Sequence, residues 1–534
     1  MKFVRISAGL SKPTMRLRAA HLFTHASPSV PALIDASLFG LTDLLGSSAS
    51  DVFVLAQADV AENPLQPTPL IALLVLGIAL LLVLILWLKL SAFLALLIVS
   101  VLVAATSRLV NPAAVPLTQV ADTIVSSMGG ALGFIATIIG VGAIFGAILE
   151  HSGGTQSLAN FLVRKFGAKH APWAMLLTGF IISVPVFLDV ALVILAPLLY
   201  ALARDTKRPF LHFGLPLVAG LAVTHGFVPP TPGPVAVAYF LGVNLGWVIL
   251  FGVLVGLPTA LICGPPLCIW LSKGVEITMP EEEFVEESEV ALPSVGFILA
   301  LIGLPIGMIL ANTIVEQYYA SGLPEGLTRQ ERGAQLSALL SSSPLPMQLI
   351  SFLGHPVIAL LLSTTIALYF LGTRRGVDRE TLLEISTKAL GPAGIIILIT
   401  GAGGVFKGVL AATGITDAME IMFADSGISV LLLAWVFATL IRIAQGSATV
   451  AMLTAAGLMG NFTVGMTQPQ LALIAVAIAA GATGFSHVND SGFWMISRYF
   501  KMSEGQTLRT WGVISTCISL VGFSMAAVLW QFFG

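Results

Sequence analysis

Charge is the scarcest commodity in this sequence. Of its 534 residues only 10% are Asp, Glu, Lys or Arg, against roughly 25% in a soluble domain, and that shortage excludes a water-facing surface for most of the chain. Neither sign dominates. The 25 Lys and Arg against 27 Asp and Glu leave a formal charge of -2 without a long basic run, so no nucleic acid is expected as a partner. Cysteine is almost missing: Cys263, Cys268 and Cys517 lie in apolar stretches without CxxC spacing and read as small core residues. No HExxH or GxSxG stretch occurs, so an intramembrane hydrolase would lack its metal set or nucleophile. The GVGAIFG stretch at 140–146 follows no strand and has the wrong spacing for a dinucleotide fingerprint. No enzyme, metal or cofactor is expected.

What is present instead is apolar. The chain is 57% hydrophobic with a mean hydropathy of +0.97. Runs of about 20 apolar residues, enough to cross some 30 Å of hydrocarbon, succeed one another from Pro69 to the C-terminus. In that solvent each segment must satisfy its own backbone amides, so the expected class is an all-α polytopic membrane protein, with the lipid bilayer as its medium. Residues 1–69 differ. They begin with Lys2, Arg5, Lys12, Arg16 and Arg18 and hold no run long enough to span, which reads as a disordered, solvated tail. The alternative is a signal cleaved near Ala56-Gln57-Ala58, although Asp35, Asp43 and Asp51 interrupt the apolar region it needs.

Charge placement predicts the topology. Spans at 70–88, 90–106 and 129–149 lead to an apolar run at 171–200 with Pro185 at its middle, preceded by Arg164, Lys165 and Lys169 and followed by Arg204, Lys207 and Arg208. By the positive-inside rule both ends belong in the cytoplasm, which a single crossing cannot achieve. Each half, about 14 residues, is too short to span; the run therefore reads as a re-entrant helical hairpin. A second run, 427–460, is interrupted at Gln445-Gly446-Ser447, and its flanks carry Asp417, Glu420, Asp425, Asn461 and Gln468 but no basic residue, which fits the outside face. Two further runs are broken: 210–240 at Pro229-Pro230-Thr231-Pro232-Gly233-Pro234, which no continuous helix can hold, and 471–500 across Ser486 to Gly492. Spans at 247–271 and 510–530 close the two units, and 294–313, 349–371 and 390–411 open the second.

The units echo each other. Residues 142–153 (GAIFGAILEHSG) answer 403–414 (GGVFKGVLAATG), with Phe145 on Phe406 and Leu149 on Leu410. Further on, Thr224-His225 answers Ser486-His487, so the offset drifts only from 261 (406 minus 145) to 262 (487 minus 225). About five crossings per unit, an odd number, invert the second relative to the first, as in many transporters. The expected architecture is two inverted repeats, each of about five spans, one of them broken, plus a re-entrant hairpin. Repeat 1 occupies 70–272 and repeat 2 occupies 294–534. An acidic cytoplasmic linker at 273–293, with Glu281, Glu282, Glu283, Glu286, Glu287 and Glu289, joins them. Both termini then fall outside.

Polar groups at hydrocarbon depth cost roughly 2.5 to 3.5 kcal/mol on insertion scales, and here they gather at the interruptions. Asp189 follows Pro185; Arg442, Gln445, Ser447 and Thr449 surround the second hairpin's break; Thr224, His225, His487, Asn489 and Asp490 flank the broken helices. Arg442 suits a bidentate grip on a carboxylate, or else a structural ion pair with a hairpin acid. Asp189 reads as a proton carrier or as an N-cap. Histidine exchanges protons near neutral pH, yet His225 and His487 can equally be core hydrogen-bonders. Glu150, His151 and Lys407 fall at span ends, as interfacial residues do. Gly142 and Gly146 allow close helix packing.

The segments AILEHSGG, PVFLDVALVILAPL, THGFVPPTPGP, TGAGGVFK, RIAQGSATVAMLTAAG and NDSGFW resemble, in order from about residue 70 to the C-terminus, the signatures of the gluconate:proton symporter (GntP) family of bacterial permeases. The resemblance implies uptake of gluconate or a related sugar acid with protons, through the cytoplasmic (inner) membrane. It also implies the paired hairpins and elevator-type movement of the wider ion-transporter superfamily. Substrate contacts are then expected from Arg442, Ser447, Thr449, Thr224 and Asn489, and proton coupling from Asp189, His225, His487 or Asp490. Two departures bear on the substrate: Asp189 stands where similar permeases carry Glu, and Thr231 where some carry His. D-serine or a dicarboxylate, sodium coupling and a homo-oligomer are the open alternatives.

Overall fold

The computed structural model describes residues 67–534 apart from 276, 278–290, 325–326, 328, 425–428 and 464. The tail expected at 1–69, but for its last three residues, and most of the linker expected at 273–293 lie outside the described residues. No strand occurs among the described residues.

The first half comprises α1 (Pro67–Leu82), α2 (Ala92–Ser107), α3 (Val120–His151), α4 (Gly154–Ile182), α5 (Leu188–Thr206), α6 (Leu211–Phe227), α7 (Pro232–Leu241) and α8 (Leu245–Cys263). The second comprises α9 (Val295–Ala320), α10 (Pro356–Ala367), α11 (Arg379–Ala412), α12 (Ile415–Ala424), α13 (Val430–Gln445), α14 (Ala448–Leu458), α15 (Gln468–Thr483), α16 (Ser491–Tyr499) and α17 (Val513–Phe533), with shorter pieces between. Among the described residues eight helical stretches are long and apolar enough to cross a membrane, at 67–85, 117–151, 211–241, 245–271, 295–320, 356–375, 379–412 and 504–533. At 1.5 Å per residue the 16-residue α2 rises only about 24 Å. It is apolar and shorter than those eight stretches.

Local chemistry sets the element ends. Ser91 caps α2 by accepting from the Leu94 amide at 3.4 Å, and Asn244 caps α8 by accepting from Gly246 at 2.8 Å. Asp378 caps α11 through the Thr381 amide at 2.8 Å. There the Thr381 backbone N–H, and then its hydroxyl, pulls the exposed carboxyl below its usual range, so the cap stays charged into mild acid. Where the sequence expected the first hairpin to begin near 171, the helix reaches back to Gly154 and is interrupted at Gly167, whose φ of 71° and ψ of 169° are not helical. The hairpin arm is its second part. Glycine tolerates that conformation and most residues do not.

α3 and α11, which carry the two copies of the echoed segment, pack along each other. Gly408 lies on Ser127, Gly404 on Ala131, and Leu390 reaches Gly140, so the two helices run antiparallel. α4 crosses α6 with its backbone in direct contact: a methyl group on Gly179 would stand 2.3 Å from the Leu217 carbonyl oxygen, and one on Gly220 would stand 2.2 Å from that of Leu176. α13 crosses α15 in the same manner at Gly481, beside the Trp435 carbonyl. Small residues buy this proximity where lipid supplies no hydrophobic drive between helices. The broken helix 211–241 is the most buried of the crossing stretches, which places its interruption in the protein interior.

Candidate functional site

Four interruptions converge. α4 gives way to α5 across 183–187, α6 to α7 across 228–231, α13 to α14 at Gly446-Ser447, and α15 to α16 across 484–490. Gly226, at the end of α6, packs so tightly on Thr483 of α15 that a Cβ there would lie 2.4 Å from the threonine hydroxyl, and a Cβ on Gly233 of α7 would lie 2.5 Å from the Met452 sulfur of α14. The ends of both broken helices are thus neighbours of one another and of the second hairpin.

On the first hairpin's side, a small crevice opens between α3, the hairpin tip and the start of α7, lined by Gly142, Phe145, Pro185, Phe187, Thr231 and Pro232 among others. α5 begins after Phe187 with no side-chain cap, and α7 after Thr231 likewise. The N-cap alternative for Asp189 therefore falls: Phe187 occupies that position, and Asp189 sits in the first turn. Its exposed carboxylate makes no hydrogen bond among the described residues, in a place where the helix dipole favours negative charge. Its charge is felt by both Glu150 on α3 and His225 on α6. The His225 ring meets Phe187 edge-on at 6.2 Å, and its Nδ1 is buried without a partner among the described residues. Thr224, fully buried, turns its hydroxyl away and donates to the Phe180 carbonyl of α4 at 2.8 Å.

On the second hairpin's side the chemistry is denser. Arg442 is 4% exposed. Its Nε donates to the Gly484 carbonyl at 3.2 Å, one terminal nitrogen donates to the Gly446 carbonyl, and the other pairs with Asp490. Of five guanidinium N–H groups, these bonds use three. Asp490 also accepts from Ser486, itself bonded to Trp511 at 2.9 Å, and from the Gly492 amide at 2.9 Å, which makes it the N-cap of α16. Of the two readings of Arg442, the ion pair is present, and the acid comes from the broken helix, not from a hairpin. His487 Nε2 lies 3.0 Å from the Ile443 carbonyl, and Asn489 donates to that same oxygen at 2.8 Å. Ser447 caps α14 by accepting from Val450 at 3.4 Å. Thr449, half-buried, makes no hydrogen bond among the described residues.

Arg442, Asp490, His487, Asn489 and Ser447 are thus drawn together, while Asp189 stands at the start of α5 and His225 near the end of α6. Sequence position misled in one case. Lys407 occupies in α11 the place that Gly146 holds in α3, and it is tucked inward: Nζ donates to the Phe240 carbonyl at the end of α7 at 2.5 Å and lies 5.6 Å over that residue's ring. A cation at a helix C-terminus is favourably placed. The signal that could have found it is the repeat itself, because one helix copy has glycine where the other has lysine.

The chain matches the GntP family permease pattern over residues 68–533. It is 36% identical over 466 residues to the gluconate permease of Bacillus subtilis (strain 168), covering 85% of this chain and 98% of that one. It is 34% identical over 449 residues to the high-affinity gluconate transporter of Escherichia coli (strain K12), covering 84% and 96%. Among solved structures it is similar to the YdaH transporter of Alcanivorax borkumensis, with a TM-score of 0.55 at 13% identity, over 83% of this chain and 98% of that one; at that identity the likeness is one of fold.

Proposed function

The chain belongs to the GntP family of permeases, and from that premise we propose that it takes up gluconate or a related sugar acid together with protons across the bacterial cytoplasmic membrane. It is a multi-pass membrane permease and not an enzyme. The observation that carries the proposal is a buried guanidinium held between two helix interruptions, the break at Gly446-Ser447 and the one at 484–490, because unwound backbone and helix ends at membrane depth are how transporters hold anionic substrates. In this reading the N–H groups of Arg442 left over from its own pairing, with the N-terminus of α14, take the carboxylate. Ser447, Thr449 and Asn489 take hydroxyls, and Thr224, its hydroxyl turned onto the Phe180 carbonyl, supports the wall beside the site. Asp189 carries the coupled proton with His225 beside it. His487 and Asp490 belong to the frame around Arg442 and come second as carriers.

Two inverted units, 70–272 and 294–534, belong to the same proposal. What supports them is the antiparallel pairing of α3 with α11 and the recurrence of one order of elements in each half: long helix, hairpin, broken helix, closing helix. The substrate class is tested by competition. Unlabelled hexonic acids should displace labelled gluconate uptake into cells expressing the protein, while D-serine and succinate at the same concentration should not. Displacement by D-serine or succinate as effective as by gluconate would replace the sugar acid with a general small anion.

A further inference from the structure

One side chain at the second hairpin's tip is unused by everything above. Gln445, the last residue of α13, stands directly before Gly446, which adopts a left-handed φ of 81°. It is 8% exposed, and neither Nε2 nor Oε1 has a hydrogen-bond partner among the described residues. Buried amides left with both groups unpaired are rare, and each lost bond carries its own desolvation cost. The groups around it are engaged. The Gly446 carbonyl takes Arg442, the Ser447 hydroxyl caps α14, and the Asp490 carboxylate takes Arg442, Ser486 and Gly492. Beside it, Asn489 spends its Nδ2 on the Ile443 and Ala444 carbonyls while its Oδ1 is buried without a partner among the described residues. The tip therefore offers the two N–H donors of Gln445 Nε2 and two acceptor oxygens, Gln445 Oε1 and Asn489 Oδ1, all shielded from water.

A carboxylate cannot satisfy that set, because an ionised carboxylate only accepts. Hydroxyl groups can, since each both donates and accepts. We propose that Gln445 is a specificity-determining residue that reads the hydroxyl chain of the substrate, its Nε2 donating to one hydroxyl oxygen and its Oε1 accepting from another. The inference rests on the sugar-acid reading and deepens it: the site selects a polyhydroxylated acid, not an acid in general. A site built to bond a hydroxyl rejects analogues that lack it, because its own buried groups are then left unpaired.

The test uses the full-length protein in proteoliposomes, with gluconate as the probe and hexanoate, of equal carbon number but without hydroxyls, as the comparison. Gln445→Met keeps the length and removes both polar atoms. Its KM for gluconate should rise at least about tenfold with the maximal rate nearly kept. Its melting temperature in detergent without gluconate should match or exceed that of the native protein, because the orphaned amide is gone. Stabilisation by added gluconate should shrink in step, and the preference for gluconate over hexanoate should narrow. An unchanged KM together with a lowered melting temperature would overturn the proposal, because Gln445 would then be part of the packed frame. Should the Met variant fail to insert, Gln445→Glu decides: it keeps the shape and an acceptor but loses the amide donor, so its KM must rise as well. If the native protein neither takes up gluconate nor is stabilised by it, the sugar-acid reading falls and takes this inference with it. Normal native uptake with unaltered KM in both variants overturns the role of Gln445 alone.

Discussion

Arg442→Ala is expected to lower gluconate uptake by at least about a hundredfold, and Arg442→Lys to fare little better. Three bonds leave the guanidinium in different directions, to Gly484, Gly446 and Asp490, and an ammonium cannot reproduce that planar fork. The alanine change also leaves Asp490 buried, its side chain only 10% exposed, without its counter-charge. Breaking a buried pair in this way costs about 3 to 5 kcal/mol, which a lowered melting temperature in detergent would register. Two roles, frame and substrate grip, are thereby mixed in one variant. The double change Arg442→Ala with Asp490→Ala separates them, because it removes the orphaned charge. Stability should then recover while uptake stays lost; recovery of uptake to near the native level would reduce Arg442 to a structural tie.

The second large effect is expected at Gly146. A Cβ built there would lie 2.2 Å from the Pro185 carbonyl oxygen, whereas one built at Gly142, a single turn earlier on the same helix, meets nothing within 4 Å. Gly146→Ala must therefore push the tip of the first hairpin off α3, at a cost of about 1 to 3 kcal/mol for overpacking. The crevice lined by Gly142, Pro185 and Phe187 should deform with it. Uptake by Gly146→Ala should fall about tenfold or more if that misplacement is felt at the site, while Gly142→Ala should keep near-native uptake. Equal behaviour of the two variants would mean that the seat of the hairpin on α3 has no part in transport.

The interruptions were legible in one dimension because they break the apolar pattern that surrounds them. A proline run at 229–234, Gln445-Gly446-Ser447 and the polar stretch from Ser486 to Gly492 are visible without any knowledge of neighbours, and the helices stop there. Pairings were not legible. Arg442 and Asp490 are 48 residues apart, and nothing along the chain says that this acid, and not Asp189, faces the guanidinium. Thr224 stood out by its place in the repeat, yet its hydroxyl is turned onto α4, a choice made by the close approach of two helices at Gly179 and Gly220. The kink at Gly167 was hidden for a similar reason, since one glycine among 52 carries no mark of a positive φ. Lys407 looked interfacial because span ends were judged by length, while its neighbour Phe240 arrives from the other half of the protein.

Coupling decides the matter most directly. Purified protein in proteoliposomes, loaded to impose an inward proton gradient, an inward sodium gradient or neither, should accumulate labelled gluconate only under the proton gradient. Asp189→Asn should still exchange gluconate across the membrane but no longer concentrate it. Accumulation driven by sodium alone, or an Asp189→Asn protein that concentrates gluconate as the native one does, would contradict proton-coupled uptake through Asp189.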